Sequence, residues 1–346
     1  MAASDQQKRA FDPMVFLTEY YDEIEPIYSY TAQTPDEHAE WVTQFRAKLI
    51  ELLGGFPVEK APLDPVVEEV VEFDDYTRER VVFNTRKNMS LPAYLLLPKN
   101  TSGKIPGIVC LPGHGPGKDT IVGYNDDGTP REEIGGYQND FAIQAARRGY
   151  AALAIEQAAF GEREGVDERQ KGCQVPSLDA LMVGLTMIGI RVWDARRALD
   201  YLLTREEVDD DRIGVMGISG GGTTTVFSAA VEPRFKVAFP SGYLCTFRDS
   251  IMDMHHCVDN FVPGIIRWGE MYDVASLIAP RPLFAESGTL DTIFPVDATR
   301  KSVALARRAW DVLGVPEKIG HEVFEGEHQF HGVGGFEFLD KYLKNG

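Results

Sequence analysis

Cysteine is scarce in this chain: Cys110, Cys173, Cys245 and Cys257 are the only four in 346 residues, and no two of them form a C-x-x-C pair. That spacing argues against a disulfide framework and for reduced core thiols in a reducing compartment. Positive charge is also short, with 35 Lys plus Arg against 53 Asp plus Glu and a net charge of −18. With no basic cluster, a polyphosphate partner would be repelled, so no nucleic acid partner is expected. Long apolar runs are missing as well. No stretch of about 18 uninterrupted apolar residues occurs, and Met1 to Asp12 is polar without an apolar h-region. Neither a membrane span nor a secretion signal is expected, and the default location is cytoplasmic unless a leader has been removed.

What is present is ordinary globular composition, 44% hydrophobic and 10% aromatic, with 33 Gly and 20 Pro. It supplies a large core and excludes disorder, collagen and coiled coil. No linker, charge block or internal repeat divides the chain. Residues 1–65 are expected to form an N-terminal helical arm packed on the body. Phe16, Leu17, Tyr20 and Tyr21, then Trp41, Phe45, Leu49 and Leu52, lie at helical spacing, closed by Gly54-Gly55 and Pro57. Residues 66–346 form the main domain, starting with antiparallel strands at Val66 to Phe73, Arg80 to Asn84 and Ala93 to Leu97.

From Pro106 the rhythm changes to short apolar runs alternating with helical patterns. Strands are expected at Gly107 to Leu111, Ala151 to Ile155, Ile213 to Ile218, Val237 to Pro240 and Leu283 to Ser287, with helical stretches such as Ile190 to Leu203 between them. Repeated β-then-α units require a mostly parallel central sheet with helices on both faces, an α/β fold. Two long intervals, near 158–189 and 243–271, exceed ordinary connections and are candidate cap segments over a site.

Ile213-Gly-Val-Met-Gly217-Ile-Ser219-Gly220-Gly221-Gly222 places G-x-S-x-G after an apolar strand and before a helical run. In that context the turn is tight, glycines avoid a Cβ clash, and the serine hydroxyl projects above the sheet edge. The competing reading is a glycine-rich turn whose Ser219 only caps a helix, but three glycines after a cap are costly in a helix. A serine nucleophile needs a histidine base and an orienting carboxylate, in the order Ser, acid, His. Asp291 stands in the loop after the strand ending near Ser287, with Glu286 and Asp297 as alternatives. His328, in the loop after the alternation Ile319 to Phe324, is preferred as base over His331, and His321 lies within the presumed strand.

An oxyanion needs backbone donors. Gly220 offers one N–H, and Leu111-Pro-Gly113-His114-Gly115-Pro-Gly117 offers a second from His114 or Gly115. The same stretch fails as a phosphate cradle, because Pro112 stands where a P-loop needs glycine, Asp119 follows Lys118, and Lys118 occupies the third glycine of G-x-G-x-x-G. His255-His256-Cys257-x-Asp259 contains good metal ligands, yet adjacent histidines usually point apart, so structural or pocket-lining roles are favoured there. Phe160-Gly161-Glu162-Arg163 could supply either a buried ion pair near the site or a solvated one.

Taken together, Gly217-Ile-Ser219-Gly-Gly, Pro112-Gly-His114-Gly, Phe160-Gly-Glu-Arg163, Ala279-Pro-Arg-Pro282 followed by Asp291, and Gly326-Glu-His328 resemble the α/β-hydrolase superfamily. The resemblance runs from about Val66 to the C-terminus and is to the acetylxylan-esterase-like and dienelactone-hydrolase-like branches. It implies the α/β-hydrolase fold and a Ser219, Asp291, His328 triad. Dienelactone hydrolases use a cysteine nucleophile where this chain has Ser219, so that activity is not implied. Acetylxylan esterases of this appearance are often exported, which shifts the expectation from polymeric xylan to small acylated sugars or other soluble esters.

The expected activity is therefore a serine carboxylic-ester hydrolase, working without metal or organic cofactor on a small-molecule ester, with a homo-oligomer possible and the substrate-binding residues unassigned. A prolyl-oligopeptidase-type serine peptidase shares fold and triad but usually adds a propeller. A non-catalytic binding protein on the same scaffold would be marked by loss of a triad member.

Overall fold

The computed structural model describes residues 11–99 and 101–344; residues 1–10, the start of the expected arm, lie outside the described residues. Two helices open the chain, α1 (Pro13–Asp22) and α2 (Pro35–Leu52). Each begins with a proline behind a side-chain cap: Asp12 accepts from the Met14 N–H and Thr34 from the Glu37 N–H. α2 behaves as its spacing predicts, burying Phe45 and Leu49, while Arg46 donates to the carbonyls of Ala230 and Leu277. α1 differs. It buries none of its residues, and Phe16, Leu17 and Tyr20 are exposed. Helical spacing fixes which residues share a face, not whether a partner surface meets that face. α1 is tied to the body by polar contacts instead, Tyr21 to Glu270 and Asp22 to Arg248.

The sheet begins with antiparallel β1 (Val66–Glu72), β2 (Tyr76–Arg86) and β3 (Met89–Pro98). There follow β4 (Ile105–Leu111), α3 (Phe141–Arg147), β5 (Ala151–Ile155), α4 (Gln174–Met182) and α5 (Met187–Leu202). Next come β6 (Val208–Ile218), α6 (Gly220–Val231), β7 (Val237–Ser241), α7 (Met271–Ser276), β8 (Leu283–Gly288), α8 (Val296–Val312), β9 (Ile319–Phe324) and α9 (Val333–Leu343). The strand order is β1-β2-β3-β5-β4-β6-β7-β8-β9, parallel from β5 to β9. β4 and β5 are buried throughout, as a strand covered on both faces must be, whereas the exposed edge strand β1 carries Glu68, Glu69 and Glu72, which discourage further strand pairing.

The chain moves from β4 to one side to make β5 and then to the other to make β6, so the strand order reverses at β4. Loops leaving the carboxyl ends of β4 and β6 therefore splay apart and open a crevice, the usual place for a ligand in a parallel sheet. The two long intervals become residues 156–186 and 242–270, built of short turns and α4. All four cysteines are free. Among the described residues no single helix is long and apolar enough to cross a membrane.

Candidate active site

Ser219 sits between the end of β6 and the start of α6, with φ 57° and ψ −120°, a region L-residues rarely occupy. The flanking glycines explain how that turn is reached. A Cβ on Gly217 would lie 2.5 Å from the Leu111 carbonyl oxygen, and one on Gly221 would lie 1.9 Å from the same atom. β4 thus passes too close for any side chain at either position, while Ser219 is left half-buried at the crevice. Its N–H donates to the Ser241 carbonyl, and its own carbonyl accepts from Thr223, so the backbone is held on both sides.

Asp291 and His328 meet across the loops after β8 and β9. His328 Nδ1 lies 2.7 Å from Asp291 Oδ2, and Asp291 Oδ1 accepts the N–H groups of Ile293 at 2.8 Å and Phe294 at 3.0 Å. The His328 ring is stacked between Tyr137 and Phe294, with centroids 6.2 and 5.6 Å away. Its Nε2 is buried without a hydrogen-bond partner and lines the same cavity of about 390 Å³ as Ser219. The alternatives fall elsewhere. Glu286 is buried and accepts the N–H groups of His331 and Gly332; burial pushes it up to about 7 against those bonds. Asp297 is exposed and pairs with Arg300, while His331 stacks on Phe324. His321 lies in β9 within reach of Ser287, and burial, with Arg300 and Arg307 nearby, pushes it down to about 4.

The loop after β4 is pinned over the serine by three side chains. Gln138 accepts the Gly113 N–H at 2.7 Å, Gln157 donates to the Pro112 carbonyl at 2.5 Å, and Tyr137 donates to the His114 carbonyl at 2.5 Å. The N–H groups of His114 and Gly115 make no intramolecular hydrogen bond among the described residues. Gly220 opens α6, where the first N–H groups have no acceptor in the preceding turn. The His114 imidazole covers Gly220, where an added Cβ would come within 3.0 Å of it, and His114 Nε2 lies 2.9 Å from Asp259 Oδ2.

Asp259 is the anchor of the second insertion. Burial alone would raise its carboxyl, but Arg191 at 2.6 Å and His114 hold it well below the usual range. Burial opposes charge on His114 too, but Asp259 and Cys173 overcome it and bring that imidazole up to about 9. His114, Cys173, Cys257 and Asp259 bring four metal-capable donor atoms within 4.8 Å of one another. His255 and His256 line the cavity instead, His256 Nε2 lying 3.0 Å from the Ser250 hydroxyl.

The Phe160 to Arg163 segment carries three ion pairs rather than one, the first between Glu162 and Arg80 at 2.5 Å. Arg163 pairs with buried Asp194 at 2.6 Å, and Glu162 with the fully buried Lys118 at 2.5 Å. Sequence reasoning missed Tyr137, Arg191 and Asn260, whose side chains brace the loops around the serine. Arg191 reads as one charge on a helix, and nothing local marks it as buried.

Residues 2–329 match the model of the Abhydrolase family. YtaP of Bacillus subtilis (strain 168), a protein provisionally named a hydrolase, is 28% identical over 271 residues, covering 74% of this chain and 83% of YtaP. Among solved structures, a protein of Bacteroides fragilis NCTC 9343 provisionally named an acetyl xylan esterase superposes with a TM-score of 0.75 at 19% identity, over 94% of this chain and 84% of that one. A glucuronoyl esterase of Solibacter usitatus gives a TM-score of 0.69 at 17% identity, over 93% of this chain and 99% of that one.

Proposed function

This chain belongs to the Abhydrolase family and has the α/β-hydrolase fold, and from that premise we propose that it is a serine hydrolase of carboxylic esters. The observation that carries the reading is Ser219 on its strained turn sharing one cavity with the unpartnered Nε2 of His328, whose other nitrogen is held by Asp291. In this mechanism Ser219 Oγ attacks the ester carbonyl while His328 Nε2 takes its proton. Asp291 keeps the remaining imidazole proton on Nδ1. The N–H groups of Gly220 and of His114 or Gly115 receive the oxyanion. His328 returns the proton to the departing alcohol, and water then releases the acyl group by the same steps in reverse.

The shape of the site supports a substrate class. The cavity of about 390 Å³ over Ser219, walled by Tyr137, His256 and Phe294, adjoins a second of about 980 Å³. His114, His255, His256 and Cys257 line both. A chamber at Ser219 less than half the size of the one beside it favours the smaller group, an acyl such as acetyl, at Ser219 and a bulkier polar alcohol such as a sugar beside it. The names of the two structural neighbours support ester hydrolysis, and the provisional acetyl xylan esterase name supports the acetyl group.

The test is labelling with a fluorophosphonate probe, mapped by peptide, beside a series of nitrophenyl esters of increasing acyl length. Label on Ser219, its loss in Ser219→Ala, and fastest turnover of acetyl are expected. An active Ser219→Ala enzyme would sink the mechanism, and faster turnover of long acyl chains would sink the substrate class.

A further inference from the structure

We propose that His114, Cys173, Cys257 and Asp259 form a binding site for one zinc-like divalent metal ion, which clamps the loop after β4 to both insertions above Ser219. The four donors, one imidazole nitrogen, two sulfurs and one carboxylate oxygen, lie within 4.8 Å of one another. Zinc bonds of roughly 2.0–2.3 Å arranged as a tetrahedron separate ligand atoms by roughly 3.3–3.8 Å. Rotamer adjustments of about an ångström therefore close the site. Two thiolates and an imidazole select zinc or another borderline metal over magnesium or calcium, which prefer oxygen.

The ligands come from three separate segments. His114 belongs to the loop after β4, Cys173 precedes α4 in the first insertion, and Cys257 and Asp259 lie in the second. Their surroundings complete a metal site. Arg191, buried behind them, places Nη1 2.6 Å from Asp259 Oδ2 and Nη2 3.6 Å from the Cys173 sulfur, and its Nε and Nη2 both donate to the Ala158 carbonyl. Asn260 donates to Asp259 Oδ1 at 3.0 Å. Such outer bonds orient ligands in metal proteins. Charge closes as well. Two thiolates and one carboxylate carry −3, and a divalent ion with the Arg191 guanidinium supplies +3, so the occupied cluster is neutral around the buried Asp259 and Arg191. With four protein ligands and no open position, the ion is a structural one, holding His114 over Gly220.

The motif His255-His256-Cys257-x-Asp259 drew attention in the sequence, but the structure replaces its two histidines with His114 and Cys173. Those partners lie 143 and 84 residues upstream of Cys257 (257 − 114 and 257 − 173), beyond the reach of any local pattern.

Chelator-treated, reduced full-length protein is titrated with Co²⁺ and Zn²⁺, with no activity readout involved. One equivalent is expected per chain. Cobalt should give intense visible bands and a thiolate-to-cobalt charge-transfer band, and zinc should protect two thiols from alkylation, mapped to Cys173 and Cys257. Cys173→Ser and Cys257→Ser should each lose most of the charge-transfer intensity and weaken binding roughly 100-fold or more, since even outer partners cost 10–100-fold. Zinc should also raise Tm in the wild type and not in Cys257→Ser. Equal cobalt spectra and affinity in wild type and the double serine variant would overturn the proposal. So would wild-type protein in which zinc protects neither thiol, whether the two stay free or pair as a Cys173–Cys257 disulfide on air exposure. Failure of the ester assay would leave these outcomes unaffected, so the two readings fail separately.

Discussion

Replacing Asp291 with asparagine tests the proposed base more sharply than removing the serine, because the structure dictates which way the new amide must turn. Asp291 Oδ1 accepts two backbone N–H groups, from Ile293 and Phe294, and Oδ2 faces His328 Nδ1 at 2.7 Å. An asparagine amide keeps its oxygen on the two N–H donors and so presents its NH₂ to His328. Nδ1 must then accept a hydrogen bond, the imidazole proton moves to Nε2, and the nitrogen meant to take the Ser219 proton is occupied. The fold should hardly notice, since both backbone bonds survive. A wrong tautomer in a serine triad costs on the order of 10⁴ in kcat. That corresponds to roughly 5 kcal/mol of transition-state stabilisation. Nitrophenyl acetate turnover, with Tm measured on the same samples, checks it. Asp297→Asn is the control, as Asp297 is exposed and pairs with Arg300 on the surface. An Asp291→Asn enzyme within tenfold of wild type, at unchanged Tm, would refute the reasoning, as would an equal loss in Asp297→Asn.

Three further outcomes concern stability. Arg163→Met strands the buried Asp194 carboxylate without its 2.6 Å partner and should cost about 3–5 kcal/mol in urea unfolding, much of it recovered by Arg163→Met/Asp194→Leu. A cost below about 1 kcal/mol would show the pair to be solvated after all. Gly221→Ala puts a methyl 1.9 Å from the Leu111 carbonyl oxygen and should lose about 2 kcal/mol or more, or fail to fold; normal stability would contradict the close approach of β4. Glu286 has its folded pKa raised from 4.5 to about 7, so its contribution is full below pH 4.5 and is lost as pH rises through 7. Between pH 5 and 8 that is a fall on the order of 2–3 kcal/mol in wild type relative to Glu286→Gln, read from denaturation curves at each pH. Parallel curves for the two proteins would mean Glu286 is ionised throughout.

What the sequence made legible was whatever local chemistry dictates. β5 falls where an apolar run stops at Glu156 and β9 where an alternation stops at Glu325, and the Gly217-x-Ser219-x-Gly221 turn is recognisable because a close strand forbids side chains at its flanks. Asp291 could be favoured over Glu286 and Asp297 by its place in the loop; exposure then sets Asp297 apart, and partners separate the two buried acids, Asp291 facing His328 and Glu286 the backbone of the loop after β9. α1 misled because a 10-residue apolar stripe carries no information about what it meets. The same limit applies at the site. Asp259 looked like part of a local His-rich run, yet its partners are Arg191 and His114, supplied by a buried helix and by the loop after β4. Side chains that converge from three segments leave no spacing to read. The crevice at β4 is what joins them: a sheet whose order reverses there sends its loops apart, and something must cross the gap to hold His114 over Gly220. The Asp259 carboxylate of the second insertion does so, with Arg191 behind it donating also to the Ala158 carbonyl of the first.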